Sequence, residues 1–270
     1  MPLLQTAHTR VDYLVNGSGE PVTVFAHGLA SSIDETRPFG SGVRGTRAFL
    51  HFRGHGASSA PETPWTYDAL AGELLALADH VHATRGLGVS LGAGALLRVA
   101  AENPDRFERL VLVLPAALDS PRRDPAIRRM QRMAEGVEAR DVERVAALLR
   151  AEQPEGARER PDVVAWSRKQ AQRLMDTTVA RALRELPEQH PLDDRAALGS
   201  VRVPALVIGQ YGDDAHPPAI AEQLAEALPN GRLSLFDAGG VLWTHRRELR
   251  ALIGDFLNGG SPDADDRRRD

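Results

Sequence analysis

The sequence predicts an α/β fold: a mostly parallel sheet of about seven or eight strands flanked by helices. Three observations carry that expectation. Short, continuous apolar runs at Val22–Ala26 (VTVFA), 109–114 (RLVLVL) and 203–209 (VPALVIG) read as strands buried on both faces. Amphipathic stretches alternate with them, as at 67–81, where Tyr67, Leu70, Leu74, Leu77, Ala78 and Val81 recur at helical spacing. Between the strand-like run 83–87 and the helix-like run 91–101 stands Gly88-Val89-Ser90-Leu91-Gly92. This G-x-S-x-G string reads as a sharp strand-to-helix turn that lifts a serine above the sheet, with glycines where backbone passes too close for a side chain.

Length and composition narrow the function classes. The chain of 270 residues suffices for one core with an insertion rather than two independent domains. The net charge of −4 shows no basic excess, so no nucleic-acid partner is expected. Cysteine is absent, which excludes disulfides and thiol catalysis and leaves no cysteine for a zinc site. No apolar run reaches the length of a membrane span, and residues 1–10 lack the apolar core of a signal peptide. The expectation is a cytoplasmic enzyme acting on a small molecule, without metal or cofactor, because no motif for either is present.

Taken in order, 11–15 alternates and reads as an edge strand, and Asn16-Gly17-Ser18-Gly19 as a turn. The strand Val22–Ala26 ends in His27-Gly28-Leu29-Ala30. Residues 31–45 are polar and glycine-rich and read as a loop or short helix, and 46–52 as the next strand, followed by Arg53-Gly54-His55-Gly56-Ala57-Ser58. A strand ending in His-Gly, a strand ending in R-G-H-G-x-S and a G-x-S-x-G turn together resemble the α/β-hydrolase superfamily of small esterases, lactonases and cofactor-free haloperoxidases. That strand commonly supplies an aspartate two residues before the arginine; here the position is His51, a departure.

The resemblance implies roles for particular residues. Ser90 would be the nucleophile, and the backbone N–H groups of Leu29 and Leu91 would hold the oxyanion. The acid loop matches at Gln210-Tyr211-Gly212-Asp213-Asp214-Ala215-His216-Pro217-Pro218, where a proline four residues on selects Asp213, with Asp214 the alternate. His216 reads as part of that loop's frame. Asp119, after the strand 109–114, is a minor candidate for the acid. Segment 120–200 has no strand-like run; its helix-like stretches 126–135, 141–152 and 162–186 correspond to the family's helical lid, with Met130, Met133, Trp166, Leu174 and Met175 either lining a pocket or packing on the core. The core would then comprise 1–119 and 201–258, and the polar tail 259–270 would be disordered.

The match breaks at the base. Family members commonly place a histidine after the last strand, here 232–236, but an ungapped match puts Gly240 there. His245, five residues later and at the threshold of a helix over 246–257, keeps the order Ser…Asp…His and is the expected base, with Trp243 beside it as a pocket wall. Two alternatives stand: another histidine (His27, His51 or His216) acts, or the base is lost. The function implied is hydrolysis of a carboxylic ester, thioester or lactone through an acyl-enzyme. A lyase, a cyclase or a non-catalytic binder on the same scaffold is the alternative.

Overall fold

The computed structural model describes residues 1–259. Eight strands form one sheet: β1 (Leu3–Gln5), β2 (Arg10–Asn16), β3 (Val22–Ala26), β4 (Thr46–Leu50), β5 (Arg85–Val89), β6 (Arg109–Val113), β7 (Ala205–Gln210) and β8 (Gly231–Phe236). Their order is β1-β2-β4-β3-β5-β6-β7-β8, with β1 and β2 antiparallel to their neighbours and the remaining pairs parallel. The run 11–15 is therefore not an edge: β1, too short to register as a period-two pattern, pairs outside it.

Nine helices connect or flank the strands among the described residues: α1 (Ile33–Thr36), α2 (Tyr67–His80), α3 (Leu91–Glu102), α4 (Asp124–Glu138), α5 (Val142–Ala151), α6 (Pro161–Leu174), α7 (Ala180–Glu185), α8 (Pro218–Ala227) and α9 (Arg246–Leu257). Side chains alternate across the central strands. Val24, Ala26, Leu110 and Leu112 meet α2, α3 and α8 on one face. Phe25, Leu87, Val111 and Val113 meet Ile33, Phe39 and the Leu249, Ile253 and Phe256 face of α9 on the other. Burial on both faces is why these strands carry continuous apolar runs.

Helices α4–α7 form an insertion between β6 and β7. The expected helix over 162–186 is two: α6 stops at Leu174 and α7 resumes at Ala180. The intervening Thr177, Thr178 and Val179 are β-branched, and the Thr177 hydroxyl donates to the Leu174 carbonyl, a local bond that competes with helix continuation. The expectation for the tail falls, from residue 260 on, outside the described residues. Among the described residues no helix is long and apolar enough to cross a membrane, and no group of three or more His, Asp or Glu side chains is arranged to hold a metal ion.

Candidate active site

The turn at Ser90 is set by sterics. A Cβ on Gly88 would lie 2.3 Å from the Gly92 carbonyl oxygen, and one on Gly92 would lie 2.3 Å from the Ala26 carbonyl oxygen. Only glycine lets strand, turn and helix approach this closely. Ser90 itself adopts φ 50° and ψ −107° at the N-cap of α3, a conformation costing roughly 1–3 kcal/mol for a residue with a side chain. Its amide donates to Val113 of β6 (2.9 Å) and its carbonyl accepts from Gly94 (3.1 Å), so both neighbours hold the strained residue in place.

The serine hydroxyl meets a histidine, and the histidine is His216. Its Nε2 lies 2.9 Å from Ser90 Oγ, and its Nδ1 lies 3.0 Å from Asp213 Oδ2. Acid and imidazole stand three residues apart on one loop between β7 and α8. The loop is folded around the carboxylate: Asp213 Oδ1 accepts the backbone N–H groups of Ala215 (2.9 Å) and His216 (3.0 Å), and Oδ2 also accepts from the Gln210 side-chain amide (2.5 Å). Asp213 is buried, which by itself would raise its pKa. The His216 charge and these hydrogen bonds outweigh burial, and the net shift is downward. An ionised Asp213 fixes a proton on His216 Nδ1 and leaves Nε2 free to accept the serine proton. Asp214, the alternate acid, is exposed on the same loop.

His245 stands elsewhere, and the expectation of it as the base is corrected by its partners. It is the N-cap of α9, its Nδ1 lies 3.0 Å from Glu248 Oε2, and its ring packs against Phe236. The cause is the turn before it. Gly239 and Gly240 take φ values of +146° and +87°, and the Gly240 carbonyl accepts from both Trp243 and Thr244 at 2.8 Å. The chain thus coils directly into α9. The loop still touches the site through Gln210, whose Oε1 accepts the Val241 N–H while its amide serves Asp213.

The other histidines singled out in the sequence are backbone staples. His27 Nε2 accepts from Phe52 N–H and Nδ1 donates to the Gly28 carbonyl. His55 Nε2 accepts from Ala30 N–H and Nδ1 donates to the Arg53 carbonyl. His51 Nε2 accepts from Ile33 N–H and Nδ1 donates to Asp12 Oδ1 (3.0 Å), so the carboxylate missing from this strand is supplied by β2. Each ring nitrogen is committed, and none of the three has a free nitrogen for a reacting proton. Burial pushes the pKa of His27 well down and that of His55 down to about 4. Asp119, the minor candidate for the acid, is held by both arms of Arg195 at 2.6 and 2.7 Å and takes no part in the site.

The staples fix the His27-Gly28-Leu29 turn. A Cβ on Gly28 would lie 3.5 Å from Ser90 Cβ, so this turn runs beside the serine. Among the described residues, neither the Leu29 nor the Leu91 N–H has a hydrogen-bond acceptor. A cavity of about 410 Å³ opens over Ser90 and His216, roofed by the insertion and walled by the β8–α9 loop. Met130, Met133, Trp166, Leu242 and Trp243 line it, with the two indoles edge to face at 5.3 Å. Met175 and Leu174 do not line it: both are buried in the main core cluster. Arg122 was missed in the sequence. It enters the site from the segment after β6, nearly buried, with Nη2 3.4 Å from Ser90 Oγ and Nη1 3.2 Å from the Ala215 carbonyl.

Comparison with known proteins agrees with this architecture. Over 160 residues the chain is 30% identical to a pimeloyl-[acyl-carrier protein] methyl ester esterase of Nitrosomonas europaea, a stretch covering 55% of this chain and 60% of that protein. A protein of the same name from Aromatoleum aromaticum is 42% identical over 69 residues, 25% of this chain and 28% of its own. The chain thus aligns with less than two thirds of either relative's length. Among solved structures, the enol-lactonase of Burkholderia xenovorans LB400 superposes with a TM-score of 0.76 at 23% identity, covering 95% of this chain and all of that one. The family model described as the alpha/beta hydrolase fold matches residues 21–241, a span holding Ser90, Asp213 and His216. With the sheet order, the serine turn and this match in agreement, the chain belongs to the α/β-hydrolase family.

Proposed function

We propose that this protein is a serine hydrolase of a carboxylic ester, thioester or lactone, with Ser90 as nucleophile, His216 as general base and Asp213 as the acid that orients it. The observation that carries the reading is the unbroken run of contacts from Ser90 Oγ through His216 to Asp213, at 2.9 and 3.0 Å. Ser90 Oγ would attack the carbonyl carbon while its proton passes to His216 Nε2. His216 would then return that proton to the leaving alkoxide or thiolate as its bond to the acyl carbon breaks. Water, deprotonated by the same nitrogen, would attack the acyl-enzyme and release the acid. The unsatisfied N–H groups of Leu29 and Leu91 support the reading, since two fixed donors beside the serine suit the negative oxygen of the tetrahedral intermediate.

The insertion α4–α7 is proposed as a lid, supported by its position over the cavity and by the Trp243 indole N–H, which donates to Gln153 at 2.8 Å across the mouth. The lyase or cyclase alternative calls for a non-standard acid or base and the binder for a lost one; the Ser90–His216–Asp213 contacts favour the hydrolase over both.

Intact-mass analysis after treatment with a fluorophosphonate tests the reading. The wild type is expected to gain one adduct and Ser90→Ala none. A folded wild-type protein that gains no adduct would overturn it.

A further inference from the structure

The charged side chains lining the cavity are not balanced. The acids are committed: Glu152 to Arg129, Asp162 to Arg160, and Glu35 to the Ser31 hydroxyl (2.6 Å) and the Trp166 indole N–H. Burial pushes the Glu35 carboxyl up, against the pull of those two donors and of Arg173. The guanidinium groups are the reverse. Arg246 lies over the Trp243 ring at 4.9 Å and donates to the Leu242 carbonyl, and Arg250 borders the same space; neither has a carboxylate partner among the described residues.

Arg122 is the extreme case. It is 8% exposed, and its only acceptors among the described residues are the Ala215 carbonyl and Ser90 Oγ. A guanidinium offers five N–H groups, and a charge this buried is costly unless an anion meets it. The rest of the cavity wall is largely apolar, which strengthens any ion pair formed within it.

We infer that Arg122 is the anchor for a carboxylate on the substrate, so that the natural substrate is an anionic ester, thioester or lactone. This inference rests on the hydrolase reading above. The geometry also limits where the charge sits. Arg122 Nη2 is 3.4 Å from the attacking oxygen. A carboxylate about 2.8 Å from the guanidinium, with the reacting carbonyl carbon about 3 Å from Oγ, places the two groups only a few bonds apart in the substrate. In the ligand-free chain Ser90 Oγ is a stand-in acceptor for Arg122, and a bound carboxylate takes over that N–H. The carboxylate belongs either to the acyl part or to the leaving group.

The test uses matched neutral and charged substrates. On the acyl side, the pair is the phenyl half-ester of glutaric acid and the same ester capped as its primary amide. On the leaving-group side, it is O-butyrylglycolate and its amide. The wild type is expected to favour the charged member of one pair by about tenfold or more in kcat/KM, expressed mainly in KM, as a charge-assisted bidentate contact would give. Which pair responds identifies the side. Arg122→Gln is expected to bring that ratio to about one, with Arg122→Lys in between.

A wild type with no preference for either charged substrate would overturn the anchor. So would an Arg122→Gln protein that loses activity on charged and neutral members alike, since that makes Arg122 a clamp on the Ala215 carbonyl. Glutarate supplies a readout that does not need turnover. It is expected to raise the thermal midpoint of the wild type and of Ser90→Ala but not of Arg122→Gln, and no rise in either parent would count against the anchor. Failure of fluorophosphonate labelling together with a glutarate shift would remove the hydrolase reading and leave the anion site standing.

Discussion

The loop after β7 and the loop after β8 occupy neighbouring ends of the sheet and do different work. Between Gln210 and Pro217 the first loop carries a carboxylate and an imidazole three residues apart, folded around each other by four hydrogen bonds to Asp213. Between Asp237 and His245 the second carries no group hydrogen-bonded to Ser90 Oγ; it turns on two glycines, starts α9 and contributes Leu242 and Trp243 to the cavity wall. The lesson is that the order Ser…Asp…His is kept with acid and imidazole on one loop, and local geometry rather than order picks the histidine that meets Ser90. His216 reaches Ser90 because its own loop is short and tied to Asp213, and the second loop is left to wall the cavity. Gln210 couples the two, with its amide on Asp213 and its carbonyl on Val241 N–H.

The largest effect expected from breaking this division is at the acid. Asp213→Asn keeps the shape of the first loop but reverses the preferred tautomer of His216, so kcat should fall by about 10⁴-fold with KM little changed, as steady-state kinetics on an activated ester would show.

Acid sharpens the comparison by separating the mobile proton of the first loop from the fixed ones of the staples. His27 and His55 are held neutral in the folded chain, and His55 has a folded value of about 4 against an ordinary 6.5. The unfolded chain therefore binds more protons between those values, and stability should fall as pH drops from 6.5 towards 4, by on the order of 3 kcal/mol from His55 alone. Urea unfolding across that range checks it. His55→Gln, with an amide that can still accept from Ala30 N–H and does not titrate, should flatten the dependence.

Gln210→Ala cuts the tie between the loops. Two of its hydrogen bonds vanish while the Ser90–His216 contact remains, so kcat/KM should drop by roughly tenfold, the equivalent of about 1.4 kcal/mol. The smallest effect is expected in the second loop. Trp243→Ala removes a wall of the cavity, and a several-fold rise in KM with kcat nearly preserved would fit a loop that serves binding; a fall in kcat alone would not.

The fold and half of the candidate site were legible because sterics leave few choices. The glycines around Ser90 are demanded because any Cβ there would lie 2.3 Å from a backbone carbonyl oxygen, and buried parallel strands must be apolar on both faces, so both leave marks in a short window. Asp213 was legible for a similar reason, since its loop has a compact pattern ending in Pro217. His216 was discounted because a histidine three residues from an aspartate reads as local framing, and only the curl of the loop around Asp213 Oδ1 shows it turned towards the serine. The pattern that marks it is the pairing of a missing histidine at Gly240 with an imidazole inside the acid loop. The place of Met175 stayed open in the sequence because periodicity gives the apolar face of an insertion helix but not whether cavity or core lies beyond it. Arg122 left no local mark at all: its partners lie 32 and 93 residues away.

The measurement that tests the central claim most directly is the rate of fluorophosphonate adduct formation on Ser90 in His216→Ala and His245→Ala, followed by intact mass. The account predicts labelling slowed by several orders of magnitude in His216→Ala and within about twofold of wild type in His245→Ala, because only the first removes the acceptor for the serine proton. A His245→Ala protein that labels slowly while His216→Ala labels at the wild-type rate would contradict it.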